Sequence, residues 1–431
     1  MSRHQADQST SLRTTVGPVA LILLTPPVAL LLWVTVAHHG GSMISLGRAI
    51  LQGTVWREIP LPSLWALGII FGWAALGWAL LRFLPGRAFF GPAAPSGYRP
   101  EYRANGVASW LVTHGLLVGG LATGVLSGRA LFTRYGELLA TLNLVALGGC
   151  GLLRLKAAVS PTSPDLVRTG NPIFDFFQGV ELHPRALGVN LKQLVNCRVS
   201  MMGWSALVVT LCAYQIESLG HLTLALGVSA ALLVAYLFKF FLWETGYFTS
   251  LDITHDRFGF YICWGVLVWV PAVYPIAQLQ LAATPTTLSW PSAIAIAALG
   301  LLAICVNYAA DAQRQRVRAS EGAALVWGKP PEVIEASYAT ADGTTRRNLL
   351  LASGYWGLAR HFHYLPELTI ALAWTLPVGA TSAIAYFYVV FLAILLVDRA
   401  GRDDRRCEAK YGPAWHQYRR LVPFKIVPGV Y

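Results

Sequence analysis

Long apolar runs separated by short polar connections organise this chain. Windows of roughly 20 apolar residues, the length a helix needs to cross the hydrocarbon core of a bilayer, fall at Val16–Ala37, Leu61–Leu84, Val107–Ser127 and Leu138–Leu155. Others follow at Met201–Leu219, Leu222–Trp243, Phe258–Leu279 and Pro291–Ala310. A last apolar region, Leu368–Val397, is long enough for two passes or a re-entrant hairpin, with Pro377 and Gly379 at the expected break. The pattern predicts an all-α polytopic membrane protein of about ten transmembrane helices.

With the N-terminus on the cytoplasmic side, Arg48, Arg57, Arg129 and Arg134 are the only members of the 33 Lys and Arg that fall on the opposite face. That asymmetry predicts cytoplasmic termini and cytoplasmic loops around 154–200 and 311–366. It also accounts for the net charge of +12 through topology and anionic lipid, so no nucleic-acid partner is expected. The expected location is the endoplasmic reticulum in a eukaryote or the inner membrane in a bacterium. Residues 1–15 are polar and read as a disordered cytoplasmic tail, without the apolar core of a signal peptide. Residues 16–157 hold four spans, and 158–431 hold the remaining spans, the long loops and a charged C-terminal segment. The six cysteines show no CxxC spacing and are expected to be reduced and packed.

Ionisable residues concentrate in the second half of the chain. In WETGYFTSLDITHDRFGFY, Glu244, Asp252, His255 and Asp256 lie near the mouths of two spans. A solvated loop is one reading. The other is an acid cluster, since a helical turn through 252–256 would put both aspartates on one face, and a partly desolvated cluster can hold and deliver a proton. Metal ligation has too few candidate ligands there.

In ADAQRQRVR, Arg314 and Arg318 are one helical turn apart, suited either to anchoring at the membrane surface or to gripping a phosphate. The segment LLLASGYWGLARHFHYLPEL offers glycines for close backbone approach and Trp356 and Tyr364 as stacking surfaces, with an interfacial aromatic belt as the competing account. His361 and His363 at i, i+2 do not share a helix face, and no metal is expected. In RDDRRCEAKYGPAWHQY, a helix would align Asp403, Cys407 and Tyr411 as one ridge, with Arg402, Lys410, Trp415 and Tyr418 nearby. No glycine-rich phosphate loop occurs, so a dinucleotide would have to be held by side chains.

The motif RxxRDxxxCxxKYGxxWxxY, Arg399–Tyr418, resembles the C-terminal signature of integral-membrane sterol reductases. GNPIFDFFQGVELHPR at 170–185, the WE…DITHDRFGFYICWG block and SGYWGLARHFHY extend the likeness from about residue 170 to the end. Within that family the details are most similar to the plant-type Δ7-sterol branch, through VWGKPPEVIEASYATADG, ARHFHYLPE and LLVDRAGRDDRRC; the C14 branch is the alternative.

The resemblance implies a C-terminal half forming the cofactor and sterol pockets, NADPH as cofactor, and a sterol entering from the lipid. It places the cofactor against Arg314, Arg318, Leu351, Trp356, His363, Tyr364, Arg402, Asp403, Cys407, Lys410, Tyr411 and Tyr418. Arg314 stands where Lys is usual in the family, and His363 where Asn is usual. Reduction of an isolated diene needs an acid as well as a hydride, which assigns a proton relay to Glu244, Asp252, His255 and Asp256, with Tyr247 as final donor. A membrane methyltransferase of the isoprenylcysteine type and a non-enzymatic sterol-binding protein are further alternatives, and homo-oligomerisation stays open.

Overall fold

A computed structural model describes residues 12–339 and 345–431. The first eleven residues of the expected N-terminal tail, and 340–344 within the VWGKPPEVIEASYATADG motif and beyond it, lie outside the described residues. The chain is an all-α polytopic membrane protein whose main helices are α1 (Leu12–His39), α2 (Leu64–Phe83), α3 (Gly106–Ala122), α4 (Tyr135–Val159), α5 (Gln193–Leu219) and α6 (Leu224–Leu242). They continue with α7 (Phe260–Ala283), α8 (Trp290–Ala319), α9 (Tyr364–Thr375), α10 (Phe387–Tyr411) and α11 (Pro413–Leu421).

Among the described residues, 8 helices are long and apolar enough to cross a membrane, α10 counted with the turn from Ala383 that leads into it. The two remaining expected spans are shorter. Helix α3 has 17 residues, and α9 has 12, stopped by a 3-10 turn at Leu376–Val378 and by Gly379 at φ 66. That stop falls at the Pro377 and Gly379 break expected from sequence.

Three antiparallel hairpins sit between helices: β1 (Arg87–Phe90) with β2 (Glu101–Ala104), β3 (Arg185–Ala186) with β4 (Val189–Asn190), and β5 (Val333–Ala339) with β6 (Thr345–Leu351). The chain divides into two compact units, residues 12–287 with 380–385, and residues 288–379 with 386–431.

In the first unit, α7 is the most enclosed helix, with 61% of its apolar window buried, and α2 the most open, with 17%. An apolar helix with so little of itself covered presents its remaining surface to lipid. Buried polar groups are paired across helices. The Tyr135 hydroxyl donates to the Pro271 carbonyl at 2.7 Å, Trp264 Nε1 donates to Asn143 Oδ1 at 3.1 Å, and Gln278 Nε2 donates to Ser229 Oγ at 2.9 Å. Such bonds satisfy groups that neither water nor lipid can reach.

Helix α5 opens with a π-helical stretch, Gln193–Met201, the widened geometry that recurs at functional positions. A four-residue helix, Glu244–Tyr247, follows α6 directly and presents Glu244 and Tyr247, three apart, on one side.

The second unit is built on α8. Its N-terminus is capped by Ser289, whose Oγ accepts from Ser292 N, with a proline in the first turn where no amide donor is needed. Helix α9 packs along α8, and the β5–β6 hairpin lies over α10 and α11. Its inward residues Ile334, Ala336 and Leu350 join Cys407, Tyr411, Trp415 and Tyr418 in one apolar cluster. The cysteines are free; Cys305, exposed on the apolar flank of α8, departs from the expectation that all are packed.

Candidate active site

Five elements converge in the second unit. From α8, Arg314 donates to Asp311 Oδ1 at 3.2 Å, and its guanidinium lies 3.8 Å from the centre of the Trp356 ring. One turn later, Arg318 Nε donates to the Leu349 carbonyl at 3.2 Å, tying α8 to β6. Trp356 is fixed from behind because its Nε1 donates to the Ala310 carbonyl at 2.7 Å. Gly354, at φ 62, makes the turn that delivers it, a conformation that side chains with a Cβ rarely adopt. Leu351 packs with Trp356, Val317 and Val326 beneath this surface.

The His363 ring lies 5.0 Å from Trp356 and 4.3 Å from Tyr364, and Tyr364 stacks on His361 at 5.2 Å with an interplanar angle of 9°. His361 in turn faces Asp403, Nε2 to Oδ2 at 3.8 Å. Burial pushes the His361 imidazole down to about 4, against the opposing pull of Asp403, so the ring is neutral at physiological pH. Among the described residues no group of three or more His, Cys, Asp or Glu side chains is arranged to hold a metal ion.

Helix α10 supplies the ridge expected from its spacing. Arg406 donates to Asp403 Oδ1 at 2.5 Å, and Cys407 Sγ approaches Asp403 Oδ2 at 3.8 Å. Lys410 Nζ sits 3.8 Å from the centre of the Tyr338 ring, and the Tyr411 hydroxyl accepts from Asn348 Nδ2 at 2.8 Å. Tyr418, from α11, donates to the Trp356 carbonyl at 3.2 Å; burial raises its phenol above the usual range. Arg402 pairs with Asp398 one turn earlier on the same helix, at 2.9 Å.

The twelve residues named from sequence therefore sit on one framework of α8, β6, the 354–364 turn, α10 and α11. Sequence reading passed over the groups that hold it: Gln313, which accepts from Tyr355 N at 2.9 Å, Asn348, and Tyr338. Arg360 is the largest omission. It donates to the carbonyls of Val422 and Pro423 at 2.7 and 2.8 Å, while its own N–H and that of His361 donate to Phe424 and Lys425 carbonyls. The chain after α11 is thus strapped to the histidine turn. The signal in the sequence was a lone Arg between Ala and His, which spacing does not distinguish from a surface residue.

This donor set fits a nucleotide. It offers cations for phosphates, aromatic planes for rings and a carboxylate for hydroxyl or amide groups.

In the first unit, Glu244 is 3% exposed and forms a two-point ion pair with Arg198, whose side chain is fully buried; the Arg198 NH2 to Glu244 Oε2 bond is 3.1 Å. Arg198 NH2 also donates to Asn105 Oδ1 at 2.7 Å, and Asn105 Nδ2 donates to the Leu80 and Leu84 carbonyls. Tyr247, on the same short helix as Glu244, accepts from Asn196 Nδ2 at 2.9 Å.

Asp252 and Asp256 do not share a helical face as their spacing suggested. The helix there spans only Leu251–Thr254 and leaves Asp256 beyond it. The reason is Lys192, a fully buried amine whose Nζ donates to the backbone carbonyls of Asp252, Ile253 and Asp256 and so ends the helix. Burial brings that amine down to about 7 against the pull of Asp256 and Asp252. Asp256 is buried and His255 exposed. A shallow cleft in this unit is lined by Cys150, Leu153, Asp175, Phe176, Phe258 and Gly259; it takes in residues of the GNPIFDFFQGVELHPR and DITHDRFGFY motifs but none of the candidate site residues.

A sequence profile of the ergosterol biosynthesis ERG4/ERG24 family matches residues 35–431. The chain is 43% identical over 417 residues to a 7-dehydrocholesterol reductase of Arabidopsis thaliana, covering 96% of each chain. It is 34% identical to a Delta(14)-sterol reductase of Methylotuvimicrobium alcaliphilum, over 96% of this chain and 94% of that one. A 7-dehydrocholesterol reductase of Danio rerio is 32% identical, over 88% and 82%.

Proposed function

Because the chain belongs to the ergosterol biosynthesis ERG4/ERG24 family, we propose that it is a membrane sterol reductase that saturates the C7–C8 bond of a 5,7-diene sterol at the expense of NADPH. The observation that carries this reading is the convergence of Arg314, Trp356, Asp403 and Tyr418 in the second unit, a set of side chains suited to a nucleotide. Higher identity to the plant 7-dehydrocholesterol reductase than to the bacterial Delta(14)-sterol reductase supports the Δ7 bond over the C14 bond.

NADPH supplies a hydride when bound. Arg314, Arg318 and Lys410 are the cations available for its phosphates, Trp356, His363 and Tyr364 the planes for its rings, and Asp403 the carboxylate for a ribose or amide.

A carbon–carbon double bond without an adjacent carbonyl takes up hydride only together with a proton. Protonation at C8 of a 5,7-diene leaves an allylic cation shared between C5 and C7, which hydride closes at C7. Tyr247 is assigned as the final donor, with Glu244, Asp252, His255 and Asp256 as the acidic relay behind it. The guanidinium of Arg198 holds the Glu244 carboxylate, and with it the short helix that carries Tyr247.

Topologically, the proposal keeps both termini and the second-unit site on the cytoplasmic face and lets the sterol enter from the lipid.

The test is turnover by the purified chain in lipid nanodiscs. With 7-dehydrocholesterol and NADPH, the conjugated-diene absorbance should disappear and a Δ5 sterol appear by mass spectrometry. NADH at the same concentration should be a poorer reductant. Persistence of the diene alongside reduction of an 8,14-diene would replace the Δ7 reading with C14 reduction. Unchanged turnover in both Glu244→Gln and Asp256→Asn would place the relay elsewhere.

A further inference from the structure

Resting on the assignment of Tyr247 as proton donor, we propose that Asn196 is a positioning residue that aims the Tyr247 phenol and stabilises the phenolate left when the proton departs. Asn196 lies in the π-helical opening of α5 and is 1% exposed. Its Nδ2 donates to Tyr247 Oη at 2.9 Å. Its Oδ1 has no hydrogen-bond partner among the described residues.

A buried, unsatisfied amide oxygen is costly, and leucine, of the same branched shape and with no polar atoms, would occupy the site without that cost. What asparagine adds is the N–H on the phenol oxygen. An N–H donated into that oxygen occupies one of its lone pairs and directs the hydroxyl hydrogen away from Asn196. It also favours the anion, since a hydrogen bond to the charged form lowers the energy of that form. Because the amide is neutral, it does this without adding a charge of its own beside the phenol, as a lysine would.

The surroundings hold Tyr247 in a fixed place. Glu244, on the same short helix, is locked to Arg198, two residues beyond Asn196 on α5, and the Phe240 ring meets the Tyr247 ring at 5.1 Å and 60°. The ion pair fixes the helix, and the amide fixes the phenol upon it.

In the reaction step the Tyr247 O–H bond breaks as the C8–H bond of the sterol forms, and the electron pair stays on the tyrosine oxygen as phenolate. Hydride that NADPH would supply when bound would reduce C7, with the nicotinamide oxidised in turn. A proton from water, passed along the acidic relay assigned behind Tyr247, restores the phenol.

The experiment uses the full chain in nanodiscs with 7-dehydrocholesterol and NADPH, comparing Asn196→Leu, Asn196→Asp, Tyr247→Phe and the Asn196→Leu/Tyr247→Phe pair after each passes a melting check. Asn196→Leu should lower kcat by roughly 100- to 1,000-fold, the range seen when one hydrogen bond to a developing charge is lost, with both KM values nearly unchanged. Its solvent deuterium isotope effect should rise, and the paired variant should be no slower than Tyr247→Phe alone.

Asn196→Asp should be slow at neutral pH, where a carboxylate faces the phenol, and partly recover at acidic pH, where the carboxylic acid again donates a hydrogen bond. A role confined to packing would not produce that pH-dependent rescue. An inactive Tyr247→Phe beside an Asn196→Leu with wild-type kcat overturns the role of Asn196 and leaves the sterol reductase reading intact. An active Tyr247→Phe removes Tyr247 as donor and Asn196 with it. Loss of diene turnover in the unmutated chain defeats the function itself.

Discussion

Replacing Arg198 by Met tests how the first unit is held around Glu244. In the folded chain Arg198 ties four segments together: it meets Glu244 after α6 from its own position on α5, and through Asn105 at the start of α3 it reaches the carbonyls of Leu80 and Leu84 at the end of α2. Met fills much of the same volume but leaves the Glu244 carboxylate, 3% exposed, without its partner. Breaking one side of a buried ion pair costs about 3–5 kcal/mol, most of it the energy of the stranded charge. For a protein of this size that shifts the melting temperature down by roughly 3–6 °C.

The double replacement Arg198→Met/Glu244→Leu removes both charges together and should recover most of the loss, because well-packed apolar residues substitute for a buried pair at little cost. Melting of the purified variants, followed by tryptophan fluorescence in detergent, measures both effects. A single variant within two degrees of wild type, or a double variant as unstable as the single one, would refute the stranded-charge account.

Gly106→Ala strikes the same cluster from another side, since a Cβ there would lie 2.6 Å from Glu244 Oε2 and 3.1 Å from Phe241 Cδ1; it should destabilise by about 1–3 kcal/mol in the same melt. Trp356→Leu removes both the ring under Arg314 and the bond to Ala310, and should weaken NADPH binding by roughly tenfold, about 1.4 kcal/mol, in a fluorescence titration. His361 has a depressed folded value, so the unfolded chain takes up its proton first as pH falls. Stability is therefore complete above about 6.5 and is lost toward about 4, roughly 2 kcal/mol by pH 5, and His361→Gln should flatten the fall in melting temperature between pH 7.5 and pH 5.

How far the chain can be read before folding differs between its parts. Membrane helices announce themselves because lipid demands that each one satisfy its own backbone and cover its length with apolar side chains, information that is local. The break at Pro377 and Gly379 and the ridge of Asp403, Cys407 and Tyr411 were visible for the same reason, as they depend on one residue's dihedrals or on helical period alone. The shortness of α9 followed from where its break fell. The helical face expected for Asp252 and Asp256 failed because Lys192, 60 residues earlier, takes the carbonyls that would have continued that helix.

What the sequence by itself determined, then, was a polytopic helical chain, its motif residues and their spacing along helices. Only the tertiary structure decided which buried polar groups meet: Arg198 with Glu244 and Asn105, Asn196 with Tyr247, Arg360 with the carbonyls after α11. Each of those pairings joins residues tens of positions apart, and each is enforced by the cost of leaving a charge or amide unpaired out of water. That cost has no address in the sequence until folding brings the partners together.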